Sequence, residues 1–180
     1  MEFEKKDLFF ERIDRRHLEL IKSFQCHEKE LVDFLLEDAY NDQVNKISVT
    51  YLFFSQKTKE MVGYLTVLTD AINLNAELKK YFRDKDIHYK SLPALKVGRV
   101  AVDDRFARRG IGTRMMDIAI FLAIKIYRET SGCRFITLDA KRGSSAETDS
   151  THFYKKIGFH ILKEREKGTI PMYLDILAKE

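Results

Sequence analysis

The sequence predicts an α/β domain built on a mixed β-sheet with helices on both faces. Three observations carry that expectation. Strand, helix and strand follow one another across residues 95–139, which calls for a parallel strand pair with a right-handed crossover. Two β-rich runs, Lys46–Ser55 and Met61–Leu68, flank the short polar stretch Gln56-Lys57-Thr58-Lys59, which fits a hairpin. The chain has 180 residues, 44% hydrophobic and 33% charged, a globular balance that favours one domain over residues 1–180.

Taken in order, Phe9–Ile13 reads as a first strand. Arg15–Phe24 carries Leu18, Ile21 and Phe24 on one side of a short helix. Glu28–Tyr40 is a stronger helix, because Leu31 and Leu35 lie four apart with Phe34 between them. In Lys46–Ser55 the residues Ile47, Val49, Tyr51 and Phe53 share one face. Asn75–Asp84 reads as a short helix and Lys85–Leu92 as a loop; Leu92-Pro93 then restricts the chain before the strand Leu95–Val102. The helix after Gly112 has Ile111, Met115, Ile118, Leu122 and Ile126 on one face, and further apolar residues predict burial nearly all round. Gly132 fits its stop. Arg134–Asp139 is a strand, Thr148–Lys156 a helix ending at Gly158, and Phe159–Lys163 and Pro171–Ile176 are closing strands.

Composition narrows the function classes. A net charge of +4 permits an anionic ligand without demanding nucleic acid. Cys26 and Cys133 lie far apart, which gives neither a disulfide framework nor metal-ligand spacing, so no metal is expected. The start, MEFEKKDLFFERIDRR, is charged from its second residue and does not resemble a signal peptide. The most apolar run, Met115–Tyr127, contains Asp117 and Lys125 and is too short to span a bilayer. A cytoplasmic protein without membrane contact is expected.

The central stretch is Val97–Phe121, where a strand passes through a basic loop into the long helix. Its turn is Arg108-Arg109-Gly110-Ile111-Gly112-Thr113. Glycines let backbone N–H groups point outward, and the helix start adds orphan donors and the positive dipole end. Arg108, Arg109 and Arg114 add charge. The combination suits a phosphate, although a plain strand-to-helix turn would have the same outline. It is not a Walker loop, since no Gly-Lys-Ser/Thr closes it, nor a dinucleotide fingerprint, since no third glycine follows Gly112 at that pattern's spacing.

Two blocks carry a family resemblance. Val100-Ala-Val-Asp-Asp-Arg-Phe-Ala-Arg-Arg-Gly-Ile-Gly-Thr113 resembles the acetyl-CoA motif of the GNAT N-acetyltransferases, and Phe153-Tyr154-Lys155-Lys156-Ile157-Gly158-Phe159 their Phe-Tyr-x-x-x-Gly-Phe motif. The pair, in this order and spacing, is a far more specific signal than either alone. More narrowly, residues 24–35 and Val97–Asp103 resemble the GNAT toxins of toxin–antitoxin pairs, which acetylate charged transfer RNA. The chain departs from the family pattern at Ala107, where Gln or Arg is usual, and at Glu147, where Asn is frequent.

The resemblance implies a mixed, mostly antiparallel sheet with a central parallel pair, and direct transfer of acetyl from acetyl-CoA to a primary amine. The cofactor's pyrophosphate would sit on Arg108, Arg109, Gly110, Ile111, Gly112 and Thr113, and its pantetheine arm would pair with the backbone of Val100, Ala101 and Val102. Within the motif Tyr154 would be the general acid that protonates the leaving thiolate; from position alone a core aromatic beside Phe153 and Phe159 is the stronger reading. Asp103, Asp104, Asp139 and Glu147 are open as bases or as cap and turn carboxylates. Arg99 is open as an ion pair, a fold contact or a substrate contact, and His152 reads as an exposed helix residue. The acceptor is left open among a small amine, a protein and aminoacyl-tRNA. For aminoacyl-tRNA, Lys79, Lys80, Arg83, Lys85, Lys90, Lys141 and Arg142 would supply a basic surface. An antitoxin and a second copy of the chain remain open as partners, as does a non-catalytic acyl-CoA-binding or antitoxin-binding module.

Overall fold

The computed structural model of the chain describes residues 7–143 and 150–179. Its strands are β1 (Leu8–Arg12), β2 (Val49–Ser55), β3 (Met61–Asn73), β4 (Ser91–Val102), β5 (Phe135–Lys141), β6 (His160–Ile161) and β7 (Thr169–Asp175). Its α-helices are α1 (Lys29–Asp33), α2 (Ala39–Val44), α3 (Ala76–Arg83), α4 (Ile111–Glu129) and α5 (Ser150–Ile157). The seven strands form one sheet in the order β1-β2-β3-β4-β5-β7-β6, with β4 and β5 parallel as the strand–helix–strand pattern requires. The pairs β1–β2, β2–β3, β5–β7 and β6–β7 are antiparallel, so the expected hairpin at Gln56–Lys59 is present.

The chain divides into two compact units. One comprises the described residues up to Leu68 together with Val97–Ile118; the other comprises Thr69–Lys96 and the described residues from Ala119 onward. The first has a core of Ile13, Ile21, Phe24, Leu35, Leu52 and Tyr64 with their neighbours. Within its hairpin, Thr50 and Thr66 face each other and share a buried hydroxyl–hydroxyl hydrogen bond of 2.8 Å. The second unit packs Ile72, Leu74, Leu78, Phe82, Ala94 and Phe135. Asn75 caps α3 by accepting from Leu78 N at 2.9 Å.

Several elements differ from their sequence outlines. Arg15–Phe24 is not one helix but two 3₁₀ turns, Arg15–His17 and Leu20–Ser23. The Asp14 carboxylate accepts from Arg16 N and the His17 ring accepts from Asp14 N, which closes the first turn too tightly for an α-helix to continue. Residues 29–44 run on past Tyr40, and Phe34–Asp38 within them is a π-helical turn. Ile47 precedes β2 and is exposed, because Lys46 turns the chain with a φ of 61°. β2 is buried on both faces, so its alternation is not an inside–outside pattern. β3 extends beyond Leu68 to Asn73, and β4 starts before Pro93 rather than after it. Helix α4 buries Ile111, Met115, Ala119 and Ala123, every fourth residue, while Phe121 and Tyr127 are exposed. It is therefore one-sided rather than buried all round. For the expected helix Thr148–Lys156, positions 148 and 149 lie outside the described residues.

Candidate active site

β4 ends at Val102, and Asp103 begins the turn that leads to α4. The Asp103 carboxylate is wholly buried and accepts from Gln25 N (3.1 Å), Arg105 N (3.0 Å), Arg105 Nε (2.9 Å) and Arg105 Nη2 (2.8 Å). Burial by itself would raise this carboxyl; the Arg105 guanidinium and the two backbone amides outweigh it and hold the group below the usual carboxylate range. The Asp103 amide donates to Val62 O at 2.9 Å. Val62 is the extra residue of a bulge in β3, since Phe53 pairs with Gly63 and Phe54 with Met61. Asp103 is thus a structural cap that pins the turn, and it is not available as a base.

Gly63 sets how closely the end of β4 and the start of α4 approach β3. A Cβ there would lie 2.6 Å from Ala101 O, 3.3 Å from Val102 Cα and 2.2 Å from Met115 Cε. An isolated glycine inside a β-rich run is the sequence signal for such an approach. Val100 and Val102 are half-buried and Ala101 is buried.

Past the cap, Arg108 and Gly110 both adopt left-handed backbone, with φ of 60° and 79°. Gly112 does not need that freedom; it lies inside the first turn of α4. Among the described residues, the amides of Ile111, Gly112 and Thr113 have no backbone acceptor, and Arg114 N makes the first ladder bond, to Gly110 O at 3.1 Å. Ile111 is buried and anchors the helix start, while Arg108, Arg109 and Thr113 are exposed. Arg105 and Arg109 both lie over the Phe106 ring, at 5.5 and 5.7 Å. Arg114 pairs with Asp117 at 3.2 Å, which leaves Arg108 and Arg109 as the nearest cations without a described ion pair. A helix start with three amides that lack described backbone acceptors, two exposed guanidinium groups and the dipole of a 19-residue helix can receive an anion. Ala107, the departure from the family pattern, is exposed there and lends no side-chain donor.

In the other unit, Tyr154 sits in α5 with its ring against Phe153 (5.1 Å) and Phe159 (5.7 Å). The helix ends there, with Phe159 N donating to Tyr154 O at 3.0 Å. Burial pushes the Tyr154 phenol up to about 12, so it keeps its proton throughout the neutral range. Lys96 and Asp139 form an ion pair at 2.7 Å, His152 is exposed, and Glu147 lies outside the described residues. Lys79, Arg83, His88 and Lys90 line a cavity of about 450 Å³. Of the other basic residues expected for a tRNA surface, Lys85 lies over Tyr81 at 4.9 Å and Arg142 is 3.6 Å from Glu164. Arg99, in the first unit, is a fold contact: it lies 5.2 Å over Phe34, with no ion pair among the described residues.

A family model described as an acetyltransferase (GNAT) domain matches residues 50–161, a span that contains the Arg108–Thr113 loop and Tyr154. The chain belongs to the GNAT acetyltransferase family. This GNAT chain is similar in fold to AtaT complexed with acetyl-methionyl-tRNAfMet, with a TM-score of 0.78 and 21% identity over 96% of this chain and 97% of that one. It is similar to a tyrosine-to-phenylalanine mutant of KacT at a TM-score of 0.76 and 19% identity, covering 96% of each chain. A mutant AtaT toxin bound to the C-terminus of the antitoxin AtaR and acetyl-CoA gives a TM-score of 0.73 and 19% identity over 96% and 95%. No curated protein matches the sequence. Among the described residues, no helix of the GNAT chain is long and apolar enough to cross a membrane.

Proposed function

We propose that this GNAT domain transfers the acetyl group of acetyl-CoA directly to a primary amine. The observation that carries the proposal is the start of α4, where the amides of Ile111, Gly112 and Thr113 lack described backbone acceptors beside exposed Arg108 and Arg109. The amides of residues 109–113 would hold a pyrophosphate, with Arg108 and Arg109 offsetting its charge. The backbone of Val100–Val102 is assigned to the amide groups of the pantetheine arm, as a strand-like pairing. Acetyl-CoA supplies an acetyl group already activated as a thioester. Tyr154 donates its phenolic proton to the departing thiolate, a role that its retained proton supports. No base is assigned. Asp103 is held by Arg105 and Asp139 by Lys96, and an α-amine with a pKa near 8 releases its proton to water.

A narrower acceptor, the amino group of an aminoacyl-tRNA, is favoured by the fold shared with AtaT in complex with an acetylated aminoacyl-tRNA. The basic cavity at Lys79, Arg83, His88 and Lys90 fits a phosphodiester backbone. With that acceptor the protein would act in the cytoplasm as a single catalytic domain, restrained by an antitoxin. The test is incubation with labelled acetyl-CoA and an amine panel that includes charged tRNA, polyamines and peptides. Label on charged tRNA, with binding that weakens steeply as salt rises, is expected. Label confined to the small amines or peptides overturns the tRNA acceptor. Acetyl-CoA binding with no label on any amine overturns the enzyme in favour of a binding module.

A further inference from the structure

The spacing of cysteines, histidines and carboxylates along the chain predicts no metal site, yet folding gathers three ligand types in one place. Cys26, His27 and Asp104 each bring a ligand atom to within 4.8 Å of the other two. His27 Nδ1 already lies 3.0 Å from Asp104 Oδ1. We propose that Cys26, His27 and Asp104 form a binding site for a thiophilic divalent cation, Zn²⁺ by preference.

The backbone makes this a defined locus rather than a chance meeting of side chains. Asp104 N donates to Gln25 O at 2.9 Å, and Gln25 N donates to the buried Asp103 carboxylate at 3.1 Å. The residues just before Cys26 are therefore bound on both sides to the turn that carries Asp104. His27 and Asp104 are exposed and Cys26 is half-buried, so a cation can enter from solvent while the thiol stays partly shielded.

The donor set decides the metal class. Thiolate, imidazole and carboxylate together suit Zn²⁺, whereas Mg²⁺ and Ca²⁺ take oxygen ligands. Bonds of about 2.3 Å to sulfur and about 2.0–2.1 Å to nitrogen and oxygen place tetrahedral ligands about 3.4–3.6 Å apart. The exposed His27 and Asp104 side chains supply the remaining approach of about 1 Å by rotation. On binding, Cys26 gives its thiol proton to solvent and ligates as thiolate, His27 ligates as the neutral ring, and Asp104 as carboxylate. The two anionic ligands neutralise the cation, and water completes the fourth position. Its effect would be mechanical: the ion would tie the segment before α1 to the turn that precedes the anion loop.

The test uses the intact protein with Co²⁺ and Zn²⁺ as probes. One equivalent of Co²⁺ is expected to give the thiolate-to-metal charge-transfer absorption, and Zn²⁺ to displace it. Cys26→Ser, His27→Ala and Asp104→Ala should each weaken Zn²⁺ binding by about 100-fold or more, because loss of a partner outside the ligand shell already costs about 10–100-fold. Cys133→Ser should bind as the parent does. Zn²⁺ should raise the melting temperature of the parent and not that of Cys26→Ser. Metal-free melting temperatures matched across the variants keep the comparison fair. A parent that shows no charge-transfer band, or a Cys26→Ser variant that binds Zn²⁺ with parental affinity, overturns the site.

Discussion

At the scale of single residues, Tyr154 joins a packed ring to a proton that burial holds in place. Tyr154→Phe keeps the contacts with Phe153 and Phe159, so its melting temperature should match the parent. Its single-turnover acetyl transfer should fall by about 10²–10⁴-fold. Single turnover matters, since slow product release would hide a loss at the chemical step. In the proposed acid role the neutral phenol is the active form, and it is lost only as pH rises through about 12. The parent's transfer rate should therefore hold through the region near 10, where a free tyrosine ionises. A falling limb centred near 10 that disappears in Tyr154→Phe would contradict the assignment. Asp103 makes the opposite kind of statement. Its carboxyl is depressed in the fold, so its stabilisation is present above the unfolded carboxylate value of about 4 and lost as pH falls through the lower folded value. Asp103→Asn should cost about 1–3 kcal/mol at neutral pH by chemical denaturation, and the gap to the parent should narrow in acid.

At the scale of elements, the site depends on how closely the end of β4, the start of α4 and the bulge of β3 meet. Gly63→Ala places a methyl against Ala101 O and Met115 Cε, one of them backbone that cannot step aside. A destabilisation of about 1–3 kcal/mol is expected, measured by chemical denaturation. Acetyl-CoA affinity should fall as well, because the same backbone leads into the anion loop. Gly110→Val acts more locally. A β-branched residue at a φ of 79° is strained, and its side chain would crowd the amides proposed to hold the pyrophosphate. Calorimetry should show acetyl-CoA binding weakened by at least about tenfold, with the far-ultraviolet spectrum of the folded protein retained. Parental affinity in this variant would remove the pyrophosphate from the start of α4.

At the scale of the whole molecule, the legible parts were those encoded locally. Period-two and period-four patterns place β4, α4 and β5, and the helix that connects the two strands calls for parallel neighbours. The two motif blocks point to the anion loop and to Tyr154 from short spans of chain. What stayed hidden was carried by side chains meeting across long separations. Nothing near Asp103 announces that Gln25 will donate to it from 78 residues away, nor near Cys26 and His27 that Asp104 will join them. Arg15–Phe24 has helical spacing, but the reciprocal cap between Asp14 and His17 overrides it. The exposure of Phe121 and Tyr127 on α4 depends on what the rest of the fold covers, which no periodicity reports.

The left-handed backbone of Arg108 has a cost that falls on the entire chain. A side chain at a φ of 60° costs about 1–2 kcal/mol relative to right-handed backbone, and glycine avoids most of that. Arg108→Gly should therefore raise the melting temperature by about 2–4 °C in a molecule of this size, while weakening its hold on acetyl-CoA. A sequence selected for stability alone would carry glycine at position 108. If Arg108 holds the cofactor as proposed, the arginine there trades durability for affinity, and a more heat-resistant, poorer acetyltransferase lies one substitution away.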